Sequence, residues 1–202
     1  MLDETQNLVV TPPTVVGRRE RKKAETRSSI ARAALELFLA HGFDEVSIRQ
    51  IAERADVAVA TVFAHFPGKE ALVFDEDDAV SASLLAAIQG GPEGDLLAGL
   101  ETWFLSSRAA QDKQRHGSDY ARFRALVDAT PALHAYWQTT WRRHRADVAR
   151  ALIDRSGAPE DVAELVAALV IEGYLLAVDQ EDPTRTLHLL FSTLRRGLAQ
   201  RA

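Results

Sequence analysis

The chain has 202 residues, 47% of them hydrophobic and 26% charged, and a net charge of −5; that length allows one large or two small domains with a packed core. The absence of cysteine excludes disulfides, thiolate chemistry and cysteine-ligated zinc, and it suits a reducing cytoplasm. No apolar run approaches the roughly 18 residues of a membrane span, and the N-terminus carries Asp3 and Glu4 but no apolar core, so it does not read as a signal peptide.

Residues 1–17 contain Thr11-Pro12-Pro13-Thr14 and no periodic face, and are expected to form a disordered arm. Beyond them the charge is uneven. The first 74 residues are neutral as a set, the remainder carries the whole net charge of −5, and Arg18 to Arg32 holds seven basic residues against two acidic ones. Arg18, Arg19, Arg21, Lys22 and Lys23 read as a basic arm that meets phosphates or enters a minor groove; the alternative is a solvated helix start. A first firm helix is expected from Lys22 to His41, with Ile30, Ala34, Leu37 and Phe38 as its apolar stripe. Gly42 can take the left-handed conformation that stops it, and Phe43 can return to the core beside Phe38.

Ser47 to Phe66 carries the strongest signal. Ser47 and Gln50 form a capping box, with Val46 and Ile51 at the positions of a hydrophobic staple, so a helix should start at Ile48. Ile48, Ile51 and Ala52 make its apolar face, and Arg49, Gln50, Glu53 and Arg54 its polar one. The pattern breaks at Ala55-Asp56-Val57, where Val57 can plug a corner. A second short helix should follow over about Ala58 to Ala64. Val62 can face the core, leaving Val59, Ala60, Thr61 and Phe63 on the outer faces. Two short helices joined by a tight turn make a helix-turn-helix, and small side chains let the second helix sit close to base edges in a major groove.

Thr26, Ile30, Ala34, Phe38, Gly42-Phe43, Ser47, Ile51-Ala52, Ala55, Val57, Thr61, Phe63, His65-Phe66 and Lys69 together resemble the N-terminal domain of TetR-type repressors. The resemblance spans roughly Thr26 to Leu72; beyond it only helical character and length agree. It implies that Ala58 to Ala64 is the recognition helix, that Thr61 and Phe63 approach phosphates, and that Lys69 contacts phosphate with His65 near the DNA backbone. Ser47 and Arg49 complete the DNA-facing candidates. Three departures stand out. Phe63 occupies a position where many relatives have Tyr. Asp56 replaces a turn glycine, and Asp tolerates a left-handed conformation. Ala58 replaces a usual Ser N-cap, a loss worth about 0.5–2 kcal/mol.

The rest of the chain reads as further helices. Pro67-Gly68 marks a turn before a helix from about Lys69 to Gln89, whose acidic run Asp75-Glu76-Asp77-Asp78 reads as solvated surface, because consecutive carboxylates on a helix diverge. Gly90-Gly91-Pro92 breaks the chain. Helices are then expected over about Asp95–Gln114, Tyr120–Asp128, Pro131–Asp154, Glu160–Val178 and Pro183–Gln200. The fold class is all-α. About nine helices are expected, with a three-helix DNA-binding head over 18–67 and an effector-binding and dimerisation body over 68–202. The Glu160–Val178 segment is apolar around so much of its circumference that it needs cover on more than one side. Val162, Leu165 and Leu169, with Leu187, Leu190 and Leu194 of the last segment, are the candidate dimer residues. The resemblance implies the same, a four-helix bundle across a two-fold axis, with a wholly intrachain core as the alternative.

Aromatic residues concentrate mid-body. Trp103, Phe104, Tyr120, Phe123, Trp137 and Trp141, with His134 and Glu172 as polar contributors, form a candidate effector site of the mostly apolar kind typical of ligand pockets; ordinary core is the other reading. No GxSxG elbow, phosphate loop or HExxH occurs, and the six histidines show no metal-ligand spacing. No enzyme, metal or cofactor is therefore expected. The partners expected are a double-stranded DNA operator, a second copy of the chain and a small-molecule effector, with no membrane. An effector-independent DNA-binding protein and a protein-interaction module with a degenerate head are the competing readings.

Overall fold

The computed structural model describes residues 17–75, 77–93, 95–114 and 118–199, with side chains at all of these except 77, 78, 108–114 and 118–120. The expected arm, apart from Gly17, lies outside the described residues, as does the side chain of Tyr120. All regular structure among them is helical: α1 (Arg18–His41), α2 (Ile48–Arg54), α3 (Val59–His65), a 3-10 turn (Glu70–Leu72), α4 (Asp77–Gly90), α5 (Ala98–Gln114), α6 (Ser118–Ala129), α7 (Pro131–Ser156), α8 (Glu160–Val178) and α9 (Pro183–Ala199).

Local chemistry places the head helices. Gln50 N–H donates to Ser47 Oγ while Ser47 N–H donates to Gln50 Oε1 at 2.8 Å, closing the capping box at the start of α2. Val46 and Ile51 are both buried beside it. Asp56 takes φ 55° in the turn, the left-handed conformation its side chain tolerates, and Ala58 stands at the N-cap of α3, which therefore has no side-chain cap. Gly42 ends α1 at φ 87°, its N–H donating to Phe38 O at 2.8 Å, and Phe43 turns back so that its ring centroid lies 5.1 Å from that of Phe38.

Two boundaries differ most from the sequence expectation. The first helix begins at Arg18 rather than Lys22, with Arg21 N–H bonded to Gly17 O at 3.0 Å, so the basic segment is the first turns of α1. The expected Lys69–Gln89 helix is interrupted. Ala71, Leu72 and Val73 are all buried and Phe74 packs against the same core. Consecutive residues of one regular helix point in divergent directions, so the chain tightens into a 3-10 turn, runs out through Phe74 and re-enters a helix at Asp77.

Two apolar cores result. One joins Ile30, Ala34 and Phe38 of α1 to Phe43, Val46, Ile51, Val62, Phe66 and Leu72, and also takes in Val127 of α6 and Leu133 of α7. The other joins Leu84 and Ile88 of α4, Leu100 and Phe104 of α5, Trp141 and Leu152 of α7, Val170 and Tyr174 of α8, and Phe191 of α9. Helix α7 contributes to both. Glycine permits the tightest crossing: a Cβ at Gly99 on α5 would lie 2.0 Å from the Ala87 carbonyl oxygen on α4. Arg155 on α7 fastens the end of α4 by donating to the carbonyls of Gln89, Gly91 and Pro92.

Candidate nucleic-acid interface and regulatory body

The head carries two kinds of exposed surface, one basic and one largely apolar. Arg18, Arg19, Arg21, Lys22 and Lys23 lie exposed on the first turns of α1. Arg49 on α2 is 82% exposed and pairs with Glu53 at 3.0 Å. On α3, Val59, Ala60, Phe63 and Ala64 face solvent, Thr61 and His65 are half-buried, and Val62 alone is fully enclosed. Ser47 is an exposed N-cap, committed to Gln50. Lys69 is half-buried and folds back over Phe43, its Nζ 4.3 Å from the ring centroid and 3.4 Å from the Asp44 carbonyl.

Arg27, which sequence reasoning passed over, joins these parts. Its Nη1 donates to the His65 carbonyl at the end of α3 at 2.7 Å, its Nε pairs with Asp75 at 2.6 Å, and its guanidinium lies 4.4 Å from the Phe66 ring centroid. At about 1.5 Å per residue, the basic segment from Lys23 back to Arg18 lies roughly 6–14 Å along α1 from this contact. The basic segment thus lies on the same helix whose Arg27 is bonded to the end of α3. The signal in the sequence was a cation at the edge of the α1 apolar stripe, but its partners on α3 and beyond are tertiary.

The body sorts the candidate effector residues into separate places. Trp103, Phe104, Trp137 and Trp141 come together, joined by Tyr174 and Phe191. Tyr174 lies 4.5 Å from Trp141 and 4.7 Å from Phe104, centroid to centroid. Trp103 Nε1 donates to Ser83 Oγ at 3.0 Å. Phe123 is elsewhere, packed with Phe74 and Tyr136 in the head core; Phe74 and Tyr136 stack at 5.8 Å. His134 lies 5.9 Å from Trp137 at the margin and 2.8 Å from the Gln138 amide. Glu172 is on the surface. Arg142 donates to both of its carboxylate oxygens, at 2.7 and 3.1 Å, and this hydrogen bonding holds the Glu172 carboxyl below its ordinary range.

The candidate dimer residues also divide. Leu165 and Leu169 are exposed, while Leu187 and Leu194 are buried in the chain's own core. Val162 is half-buried against that core, and Leu190 packs over Gly173, where an added Cβ would meet it at 2.6 Å. Leu176 and Leu189, seen in the sequence only as members of apolar runs, are 60% and 61% exposed. Leu165, Leu169, Glu172 and Leu176 share one side of α8 by their spacing. At the far end of the body, Arg195 bridges Asp95 at 3.1 Å and Glu101 at 2.6 Å. Burial draws its guanidinium down, and the bonds and charges of Glu101 and Asp95 more than offset this, leaving it above its ordinary value.

Among the described residues no group of His, Asp and Glu is arranged to hold a metal ion, and no helix is long and apolar enough to cross a membrane.

Residues 30–75 match the family described as bacterial regulatory proteins, tetR family. The chain is 33% identical over 154 residues to the HTH-type transcriptional regulator TcmR of Streptomyces glaucescens, an alignment covering 74% of this chain and 68% of that one. It is 28% identical over 184 residues to an HTH-type transcriptional repressor of Mycobacterium tuberculosis, covering 86% and 95%. The crystal structure of a TetR-family regulator from Streptomyces coelicolor A3 superposes with a TM-score of 0.59 at 23% identity, covering 90% of this chain and 98% of that one, which extends the shared fold through the body. With its capped helix-turn-helix, its basic first helix and its all-helical body, the chain belongs to the TetR family of DNA-binding transcriptional regulators, and not to an enzyme family.

Proposed function

We propose that this regulator is a cytoplasmic, ligand-responsive repressor that binds a near-palindromic operator as a homodimer and leaves it when a small molecule occupies the body. The observation that carries the ligand-responsive part is the path of α7. Leu133 belongs to the head core and Trp141 to the aromatic cluster, separated by about 12 Å along one continuous helix. A ligand that rearranges the aromatic cluster shifts a helix on which the head is built. It releases DNA to the extent that it binds the DNA-incompetent arrangement more tightly. The apolar side of α8, with Leu165, Leu169 and Leu176 exposed, supports a subunit interface. The likeness to a Mycobacterium tuberculosis repressor supports repression over activation.

The test is selection of bound duplexes from genomic fragments, followed by binding measured at several salt concentrations with and without candidate effectors. The expected result is tight binding to a two-fold symmetric site, much weaker binding to random duplex, and loss of binding with at least one small apolar or planar compound. Each of Arg18, Arg19 and Arg21 that meets a phosphate lowers the steepness of the salt dependence by about 0.9 when replaced by Ala. Equal affinity for selected and random duplexes overturns the proposal. Specific binding that no ligand affects leaves the effector-independent reading in its place.

A further inference from the structure

The recognition helix has a solvent face without hydrogen-bonding side chains. Val59 is 39% exposed and Phe63 55%; Ala60 and Ala64 lie beside them, also exposed. Val59 and Phe63 are four residues apart and so are neighbours on one side of α3. The polar residues nearby are occupied or withdrawn. Gln50 is closed into the capping box with Ser47, Arg49 is paired with Glu53, and Thr61 and His65 are half-buried.

Base pairs in the major groove are told apart by patterns of donors and acceptors and by one apolar group, the C5-methyl of thymine. A helix face whose side chains offer neither donors nor acceptors discriminates mainly through that methyl group. The Phe63 ring and the Val59 methyls also gain by leaving water, which an apolar partner in the groove allows. The occupant of this face is a duplex on grounds of charge, since Arg18, Arg19, Arg21, Lys22 and Lys23 project from the same α1 whose Arg27 is bonded to the end of α3. Those cations neutralise phosphates and carry no sequence information themselves.

We propose that α3 reads its operator through thymine methyl groups, with Val59 and Phe63 as the specificity-determining side chains, while the polar contacts of the head fall mainly on phosphates. This rests on the operator-binding reading above and adds the chemistry by which the bases are told apart. It follows that each half-site carries thymines opposite α3.

The experiment uses the full chain and the operator selected from genomic fragments. Thymines are replaced one at a time by deoxyuridine, which removes the methyl group and keeps the base-pairing pattern. Affinity is expected to fall about fourfold at each thymine read by α3, the effect of withdrawing one methyl-sized group from burial. In the variants Val59→Ala and Phe63→Ala, whose side chains are exposed and outside the core, this thymine–uracil difference is expected to shrink at the base that each one contacts. Specific binding that is unchanged by deoxyuridine at every thymine overturns the inference and leaves the regulator reading standing. A thymine–uracil difference of the same size in both variants overturns the assignment to Val59 and Phe63. If no duplex is preferred over random sequence, the operator-binding reading fails first, and this one with it.

Discussion

The Arg27 guanidinium on α1 donates to the main-chain carbonyl of His65 at 2.7 Å while pairing with Asp75 at 2.6 Å. The last turn of α3 is thereby tied to the helix behind it and to the segment that leads into α4. The His65 carbonyl is one of the orphan acceptors every helix leaves at its C-terminus, and here a side chain from another helix satisfies it. Arg27→Met keeps most of the apolar stem and removes both bonds. Operator affinity is expected to fall roughly tenfold, the scale of one lost hydrogen bond to a charged group. Arg27→Lys, which retains a charge for Asp75 but not the fork, should fall between the two. Duplex binding alongside thermal unfolding separates this from a general loss of structure, and unchanged affinity in both variants would remove Arg27 from the positioning of α3.

Gly99 and Ala87 set the distance between α4 and α5. An added Cβ would sit 2.0 Å from a backbone oxygen and 2.9 Å from its carbon, and a backbone neighbour cannot swing aside as a side chain can. Gly99→Ala should therefore destabilise the body by about 1–3 kcal/mol, as overpacking does. Gly197→Ala, with open space around the added atom, is the control and should not destabilise. Thermal or urea unfolding of the two variants provides the comparison.

Leu165 and Leu169 are about half exposed, at 52% and 44%, so replacing both with Glu removes little from the chain's own core. The double variant is expected to sediment as a monomer with helical content preserved, and to lose operator binding, because one recognition helix alone covers only a half-site. A variant that still sediments as a dimer would place the subunit interface elsewhere.

Glu172 lies between Leu169 and Leu176 on the same side of α8 and titrates under the influence of Arg142. The hydrogen bond from Arg142 lowers its folded-state pKa below the unfolded value. Its contribution to stability is therefore present above the ordinary carboxylate range and is lost as pH falls through the lowered folded-state value. Carboxyl-resolved NMR titration should find Glu172 shifted down, and Arg142→Gln should return it toward an ordinary glutamate. An unshifted Glu172 in the parent chain would contradict the pairing.

The head was legible from sequence because its signals are local. The Ser47–Gln50 box, the tolerance of Asp56 for φ 55° and the stop at Gly42 each depend on a few neighbouring residues. The helical body was legible from periodicity, which gives the helices but not which side of each one meets which neighbour. Sequence could therefore group Phe123 with the tryptophans, although the fold places it in the head core, and could group Leu187 with Leu165, although one is buried and the other exposed. The interruption before α4 was hidden for the same reason. It arises because Ala71, Leu72, Val73 and Phe74 all pack into one core, a demand set by α1 and α7, with Phe123 of α6 against Phe74, rather than by the segment itself.

Val127 and Leu133 lie in the head core although they are far along the chain from α1–α3. A recombinant fragment ending after Phe66 would leave the surfaces they cover open to water, and a chimera joining this head to a foreign body would inherit a mismatched seam. Exchange of operator specificity between such regulators is thus constrained by side chains that never approach DNA. A transplant that carries α6 and α7 through Tyr136 along with residues 18–75 keeps that seam intact.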